Sequence, residues 1–179
     1  MDGDIQKLIV CALETGFSRA CELDAKSLVF MPEVRDMCKD NRCGKYGKSW
    51  MCPPHCGTLE ESVKIAKRFS SGVLVQTTGK MDDDFDYENM LDTGKRHKEM
   101  FEAFVSKART AFSDILPMGA GACQMCETCS CPDSPCRHPD KAIPSMEAYG
   151  LMVNDVCEKS GIAYLHEKLT ITYTSCVLL

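Results

Sequence analysis

The order of apolar and polar residues along the chain predicts helices that alternate with short strands. Helices are predicted where apolar residues recur every three or four positions, and strands where β-branched and apolar residues run together. The predicted helices span residues 4–14, 32–38, 58–69, 87–112, 145–148 and 154–159. The predicted strands span residues 27–30, 72–78, 115–120 and 169–179. Local signals support three helix ends: Gly16 after the first helix, Pro32 at the start of the second, and a capping box beginning at Thr58.

The long helix over 87–112 lies between two predicted strands, which indicates a crossover connection within one sheet. We therefore expect an α/β or α+β fold, with a small sheet of three to four strands flanked by helices. Two cysteine-rich stretches, 38–56 and 121–144, interrupt this pattern and are expected to form metal-binding loops at one end of the sheet. The length of the chain suits a single metal-binding domain over residues 1–179.

Thirteen of the 179 residues are cysteines, far more than ordinary usage. A disulfide framework is typical of short secreted chains. Here the cysteine count is odd, and residues 1–4 show no basic stretch followed by an apolar run, so we expect metal binding in the cytoplasm instead. The net charge of −5 argues against nucleic-acid binding. No apolar run reaches membrane-spanning length, so no membrane association is expected.

The densest group of cysteines lies in the second stretch. Cys123, Cys126 and Cys129 are each separated by two residues, a spacing that lets consecutive thiolates bind one iron–sulfur cube. The fourth ligand is expected to be Cys136, because the prolines before it can turn the loop back; Cys131 is the other candidate. Neither choice reproduces the C-x2-C-x2-C-x3-C-P run of bacterial ferredoxins. A zinc ion held by four thiolates is the alternative.

The first stretch carries Cys38, Cys43, Cys52 and Cys56 at wider spacing. These residues can hold a second cluster or a zinc ion. In a looser version Cys56 is free, and three thiolates leave one position on the metal open. Four basic residues in this stretch are expected to lower the pKa of the thiols and to offset the charge of a thiolate-rich centre, unless they only form a solvated face. They are Lys39, Arg42, Lys45 and Lys48.

Four cysteines lie outside the two stretches. Cys11, Cys157 and Cys176 are expected to be buried as small apolar residues, whereas Cys21 could reach the first site.

Histidines fall into two groups. His55 and His138 lie within the cysteine stretches and can replace a thiolate or donate to a cluster sulfur. His97 and His166 are expected to be ordinary surface or interface residues. Arg137 is expected either to stabilise an anionic centre or to form a structural salt bridge.

Three motifs occur in a fixed order along the chain. They are YGKSWMCPP at 46–54, the cysteine run at 123–129 followed by PCRHP at 135–139, and PSMEAYG at 144–150. Together they resemble a family of predicted cysteine-rich metal-binding proteins of unknown function from bacteria and archaea, largely anaerobes. The resemblance covers nearly the whole chain and implies metal or iron–sulfur binding through seven cysteines. These are Cys38, Cys43, Cys52, Cys123, Cys126, Cys129 and Cys136.

In this resemblance Cys56 has no clear counterpart, and Cys131 is an extra thiol. The family's reaction is not established, so the resemblance implies a cofactor without an activity.

The sequence has cube-type cysteine spacing and shows no phosphate loop, dinucleotide fingerprint or nucleophile elbow. This combination favours a redox function, either electron transfer or electron delivery to a partner enzyme. We expect one or two iron–sulfur clusters of the 4Fe–4S type and a redox partner protein. The alternatives are a zinc-stabilised interaction module, in which the metal serves only folding, and an enzyme that uses an open iron site as a Lewis acid.

Overall fold

The computed structural model describes residues 2–165 and 167–179, so His166 lies outside the described residues. Its α-helices are α1 (Asp2–Thr15), α2 (Pro32–Lys39), α3 (Leu59–Ala66), α4 (Tyr87–Ala111) and α5 (Val153–Lys159). Its strands are β1 (Arg19–Leu23), β2 (Gly72–Lys80), β3 (Leu116–Met118) and β4 (Thr170–Leu178). Two 3-10 turns cover Ala25–Ser27 and Glu147–Tyr149.

The four strands form one sheet in the order β1-β2-β4-β3, and every pairing is antiparallel. Strand β2 pairs along its whole length with β4, from Gly72 opposite Leu178 to Lys80 opposite Thr170. Because β2 and β3 both run antiparallel to β4, they run parallel to each other, and α4 is the crossover between them. The predicted α+β fold with a small four-stranded sheet is confirmed.

Side chains that alternate along β2 enter two different cores, because successive residues of a strand point to opposite faces. Val73 and Val75 pack with α1 and α4 on one face, whereas Leu74 packs with α5 and the loop elements on the other. The first core includes Ile5, Leu8, Ala12, Phe101, Phe104, Val105 and Val177. The second core includes Leu23, Ala66, Met118, Met146, Val156, Cys176 and Leu178. The sheet is thus the middle of three layers.

The edge of the sheet next to β2 differs from the prediction. Residues 27–30 are not a strand, since Phe30 makes only an isolated bridge with Leu151. Strand β1 forms instead at Arg19–Leu23, a segment without β-branched residues that pairs with β2 through long-range contacts. The following 3-10 turn is capped by Asp24, whose carboxylate accepts the N–H of Lys26 at 3.0 Å. Because Arg19–Leu23 contains no β-branched residue, local propensity did not predict β1.

Helix α4 lies unusually close to the sheet. A Cβ on Gly79 would lie 2.0 Å from Thr93 Oγ1, and a Cβ on Gly94 would lie 3.0 Å from the ring of Tyr173. Gly79 therefore lets Thr93 of the helix approach the backbone of β2, and Gly94 lets the ring of Tyr173 on β4 approach the backbone of the helix. Within residues 2–165 and 167–179, no helix combines the length and apolarity needed to cross a bilayer.

Candidate functional site

The first cysteine of the site is positioned by α2. Pro32 occupies the start of this helix, where its missing N–H costs no hydrogen bond. Cys38 lies in the last turn, and its thiol donates to Val34 O at 3.9 Å. Beyond the helix, Asn41 adopts a φ of 51° and its side chain accepts the N–H of Tyr46 at 3.0 Å. This turn directs the loop with Cys43 back toward the helix end.

A helical turn positions the other two cysteines of the first stretch. The N–H of Cys56 donates to Cys52 O at 3.1 Å, and the N–H of Cys52 donates to Ser49 O at 3.1 Å. Gly47, with a φ of 67°, donates its N–H to Pro53 O at 3.0 Å and closes the loop. A left-handed residue is needed here, which is why glycine suits the position.

The four cysteines of the first stretch lie within electrostatic reach of one another. Burial raises the pKa of Cys52 to about 11, a hydrogen bond with Ser49 works against this rise, and the neighbouring thiols of Cys43, Cys56 and Cys38 add to it. Burial also raises the pKa of Cys38 and of Cys56. The fold therefore gathers Cys38, Cys43, Cys52 and Cys56 although up to eight residues separate consecutive members in sequence.

Of the two alternatives for the basic residues of this loop, the solvated face fits better, because the pKa of Cys38, Cys52 and Cys56 is raised and not lowered. Lys39 pairs with Asp36 at 2.6 Å, and both side chains are more than half exposed, so water screens the charge. The cation that acts on the thiols is Arg35, whose charge opposes the burial effect on the pKa of Cys38 and Cys56. Arg35 donates to Cys56 Sγ at 3.6 Å and to Gly57 O at 2.7 Å.

A cavity of about 350 Å³ lies inside this group of cysteines. Cys38, Cys43 and Cys52 line it, together with Glu147. Its other lining residues include Arg42, Tyr46, Gly121, Ala122 and Tyr164. Cys56 lines a different cavity, of about 250 Å³. Three of the four predicted ligands therefore face one space.

Two polar groups beside this cavity were missed at the sequence level. Among the described residues, Arg35 Nη1 and Glu147 Oε2 are the buried side-chain nitrogen and oxygen atoms without a hydrogen-bond partner. The 3-10 turn that carries Glu147 is held next to α2, since the N–H of Met31 donates to Gly150 O at 2.7 Å. The available signal was that Glu147 is the acidic residue within the motif at 144–150.

The second cysteine stretch is a loop closed at its base and largely exposed along its length. The N–H of Gly119 donates to Pro144 O at 2.8 Å, which ties the two ends together. Inside the loop, Ser130 Oγ donates to Pro135 O at 2.8 Å, and the guanidinium of Arg137 donates to Thr128 O. Arg137 therefore has a structural hydrogen bond within the loop.

Cys129 is the thiol of the second stretch with the most donors around it. Burial alone would raise its pKa, but the N–H groups of Cys131, Trp50 and Ser130 and the charge of Arg137 outweigh burial and lower that pKa. Backbone donors of this kind stabilise a thiolate and hydrogen-bond the sulfur of a metal ligand.

The other cysteines of the second stretch face different surroundings. Cys123 lines a cavity of about 420 Å³ against α4, and Cys136 lines another with Trp50 and His55. Cys126 is half-buried and Cys131 is buried. Over residues 2–165 and 167–179, no three Cys, His, Asp or Glu side chains lie close enough to share a single metal ion.

Trp50 joins the two stretches. Its indole Nε1 donates to Ser134 O at 3.0 Å, and its backbone N–H donates to the sulfur of Cys129. The centroid of its ring lies 5.3 Å from the centroid of the His55 ring. The two cysteine loops therefore pack together at one end of the fold, as predicted.

The cavity beside Cys123 has a buried histidine at its inner wall. The prediction that His97 is a surface or interface residue is wrong, because only 2% of it is exposed. Its Nδ1 and Nε2 lie 2.7 Å from Thr77 Oγ1 and 2.7 Å from Ser175 Oγ. Burial lowers the pKa of His97 to about 4, so it is neutral at physiological pH. The helical spacing of α4 placed it on the apolar stripe, and this was the overlooked signal.

All thirteen cysteines lie within the described residues and are free thiols. Cys157 and Cys176 are buried in the core, as predicted, whereas Cys11 is only half-buried and packs at the edge of the other core. Cys21 lies on β1 opposite Leu74 and packs on the core near Cys157. Its place is the sheet, away from the cavity lined by the first stretch.

A family model described as "Predicted metal-binding protein (DUF2284)" matches residues 21–179. The chain belongs to this family. The resemblance inferred from the three motifs is thereby confirmed, and metal binding is the property by which the family is described. The description names neither the metal nor a cluster type.

Comparison with solved structures finds epoxyqueuosine reductase from Bacillus subtilis, with its catalytic loop swung out of the active site. The identity is 12% and the TM-score is 0.46, over 97% of this chain and 44% of that chain. The chain thus spans less than half the length of that enzyme. No curated protein matches the sequence.

Proposed function

We propose that this protein carries one or two iron–sulfur clusters of the 4Fe–4S type and passes electrons to a partner protein in the cytoplasm. The observation that carries the proposal is the gathering of four cysteine side chains from 38–56 beside a second cysteine loop at the same end of the fold. The sequence predicts Cys38, Cys43, Cys52 and Cys56 as ligands of the first centre; the first three line one cavity and Cys56 lines another. Cys123, Cys126, Cys129 and Cys136 are those of the second.

The donors in the first stretch fit such a group. Thiols are the ligands that iron–sulfur clusters take, and here Cys52 is buried, Cys38 and Cys56 are half-buried and Cys43 is exposed. No three lie close enough to share one ion, and a multi-iron cluster suits this separation because each of its irons takes its own thiolate. When bound, such a cluster accepts and releases single electrons.

The surrounding residues have definite roles in this proposal. Arg35 places a positive charge beside the thiol of Cys56 and offsets the charge of a thiolate-rich centre. Around Cys129, the backbone N–H groups of Trp50, Ser130 and Cys131 donate to sulfur, which raises the reduction potential of a centre held there. The second loop is mostly exposed, so it is the side on which a redox partner can approach.

The test is the metal and sulfide content of protein prepared without air, followed by a one-electron redox titration monitored by electron paramagnetic resonance (EPR). We expect iron with acid-labile sulfide and a paramagnetic signal on reduction. A matched control is Cys11→Ser, since Cys11 lies on α1 outside both cysteine stretches and should leave the iron content unchanged. Zinc without iron would overturn the redox proposal in favour of the zinc-stabilised module.

One observation favours a second candidate function, an enzyme with an accessible iron. The cavity beside Cys123 has a volume of about 420 Å³, within the range of small-molecule sites. It is half open and is lined by aromatic and basic side chains, among them Phe101, Tyr173 and Lys95. Adding cyanide to the reduced protein tests this function. A changed EPR spectrum supports an iron that accepts an external ligand. An unchanged spectrum would contradict this second function and leave electron transfer as the single proposed function.

A further inference from the structure

Two half-buried side chains of opposite charge, Glu147 and Arg35, each have one buried polar atom without a partner near the first candidate centre. Glu147 Oε2 and Arg35 Nη1 have no hydrogen bond among the described residues. A buried carboxylate oxygen that is left unpaired has lost its hydration without compensation, so a native structure normally satisfies it. The unpaired oxygen of Glu147 therefore points to a bound group that completes its interactions.

Glu147 is placed to meet such a group. It lines the cavity of about 350 Å³ that Cys38, Cys43 and Cys52 also line. Its charge acts on Cys38, whose pKa is raised by burial first and by Glu147 second. The carboxylate therefore shares one space with three thiols.

Cys56 is held in another direction. Its sulfur accepts a hydrogen bond from Arg35 Nη2 at 3.6 Å and lies 3.9 Å from Ala148 O. It lines the smaller cavity with Met51 and Tyr149. Arg35 is itself anchored on Gly57 O at 2.7 Å, so the guanidinium holds Cys56 in this position.

We propose that Glu147, and not Cys56, supplies the fourth protein ligand of the first centre, beside Cys38, Cys43 and Cys52. This inference rests on the proposed function and assigns a ligand that the cysteine pattern does not contain. Carboxylate oxygens bind iron and zinc, and they are harder and weaker donors to these metals than thiolates. The first centre then has one exchangeable ligand, while Arg35 reserves Cys56 as a hydrogen-bonded thiol outside it.

The experiment compares two variants of the full chain, purified and reconstituted with iron and sulfide without air. Glu147→Gln keeps the shape of the side chain and removes its charge, and Cys56→Ser removes the competing thiol. Each is also made together with Cys126→Ser, so that the remaining iron belongs to the first centre. The readouts are iron and sulfide per chain, the EPR spectrum, and the rate of iron loss to a ferrous chelator.

We expect Cys56→Ser to keep the iron content and spectrum of the first centre. Glu147→Gln should lose that centre or release its iron at least about ten-fold faster. Loss of the first centre in Cys56→Ser would overturn the proposal, as would an unchanged spectrum and release rate in Glu147→Gln.

A third variant covers the case in which Glu147→Gln does not fold. Glu147→Cys restores a strong donor and should keep the iron while it lowers the reduction potential, since a thiolate donates more electron density to iron than a carboxylate does. An unchanged potential would overturn the proposal. Zinc alone in the unmodified chain would refute the cluster, and the zinc content of the same variants would still decide between Glu147 and Cys56. Protein that takes up no metal would overturn both proposals.

Discussion

The first cysteine stretch, 38–56, folds around a cavity, whereas the second, 121–144, is an exposed loop tied at its base. In the first, one end of α2 and one helical turn bring four thiols together, and burial raises the pKa of Cys38, Cys52 and Cys56. In the second, backbone donors lower the pKa of Cys129, and Cys123 and Cys136 face different cavities. The two stretches thus differ in the surroundings of their thiols, which are mainly buried groups in the first stretch and backbone donors in the second.

This difference shows what cysteine spacing can and cannot encode. The short spacing at 123–129 places three thiols within seven residues of chain, so a metal can draw them together when it binds. The wide spacing at 38–56 leaves assembly to the fold, which supplies the cavity and the charges of Arg35 and Glu147. We therefore expect the second centre to depend on its own cysteines and the first to depend on the surrounding protein.

The largest expected effect comes from Cys126→Ser. This change should remove the second centre completely, because it deletes the middle thiol of the short run, and should destabilise the loop at 121–144. Iron per chain and amide hydrogen exchange measure the two effects. The first centre should retain its iron, and unchanged total iron would contradict the assignment of the second centre.

The next largest effect is expected on the free energy of unfolding as the pH falls, because of His97, which lines the cavity beside Cys123. Its pKa is about 4 in the folded protein and about 6.5 when unfolded, so the unfolded chain binds more protons between these values. Its contribution to stability is complete above pH 6.5 and decreases as the pH falls. The loss should reach about 2 kcal/mol by pH 5.

Urea unfolding from pH 7.5 to pH 5 measures this loss, with His97→Gln as the control that cannot titrate. The free energy of unfolding should fall more steeply in the unmodified chain. Parallel curves for the two proteins would show that His97 does not titrate in this range.

A smaller effect, confined to the first stretch, is expected from Gly150→Ala. Gly150 has a φ of 78°, and a Cβ there would lie 3.0 Å from Met31 O and 2.7 Å from Leu59 Cδ1. The left-handed conformation alone should cost about 1–2 kcal/mol. Gly150 ends the turn that carries Glu147, and its carbonyl oxygen accepts the N–H of Met31 at the start of α2. Gly150→Ala should therefore make the first centre lose its iron faster than the second.

Gly161→Ala is a matched control for this change. Gly161 has a φ of 72°, so it carries a similar backbone penalty, but no atom lies within 4 Å of its Cβ position. Equal iron release from the two variants would contradict a specific link between Gly150 and the first centre.

Much of the fold follows from local signals in the sequence. The proline at the start of α2, the capping box of α3 and the apolar stripe of α4 each predict their helix, and the apolar runs predict β2 and β4. Strand β1 could not be predicted in this way, because it forms by pairing with β2 at the edge of the sheet.

The candidate site is predictable only where its parts are local. The number and spacing of the cysteines predict a metal site. The positions of a basic or acidic residue that lies beside the site in the fold cannot be predicted in this way. Arg35 and Glu147 are more than a hundred residues apart, and both act on Cys38 because α2 packs on the 3-10 turn at Glu147–Tyr149. Likewise, the burial of His97 depends on hydroxyls from two strands.

The smallest expected effect tests whether the two stretches act as one unit. Trp50→Phe removes the indole donor to Ser134 O and keeps both the aromatic ring beside His55 and the N–H near Cys129. Losing this hydrogen bond should cost about 1 kcal/mol or less, since the bond is exposed. Tyr46→Phe is the control, because it removes a hydroxyl from the first stretch and leaves the hydrogen bond between Trp50 and Ser134 in place.

Amide hydrogen exchange then reads the two stretches separately. Faster exchange at 130–136 with unchanged exchange at 38–56 would mean that the stability of the first stretch does not depend on the second. The second stretch would then be stabilised by the first through Trp50. Faster exchange in both would mean that each stretch stabilises the other, so that the metal content of one centre should depend on the other. The asymmetry in burial favours the first result, because Ser49, Cys52 and Pro53 are buried in the first stretch, whereas Cys131 is the single buried residue of the second.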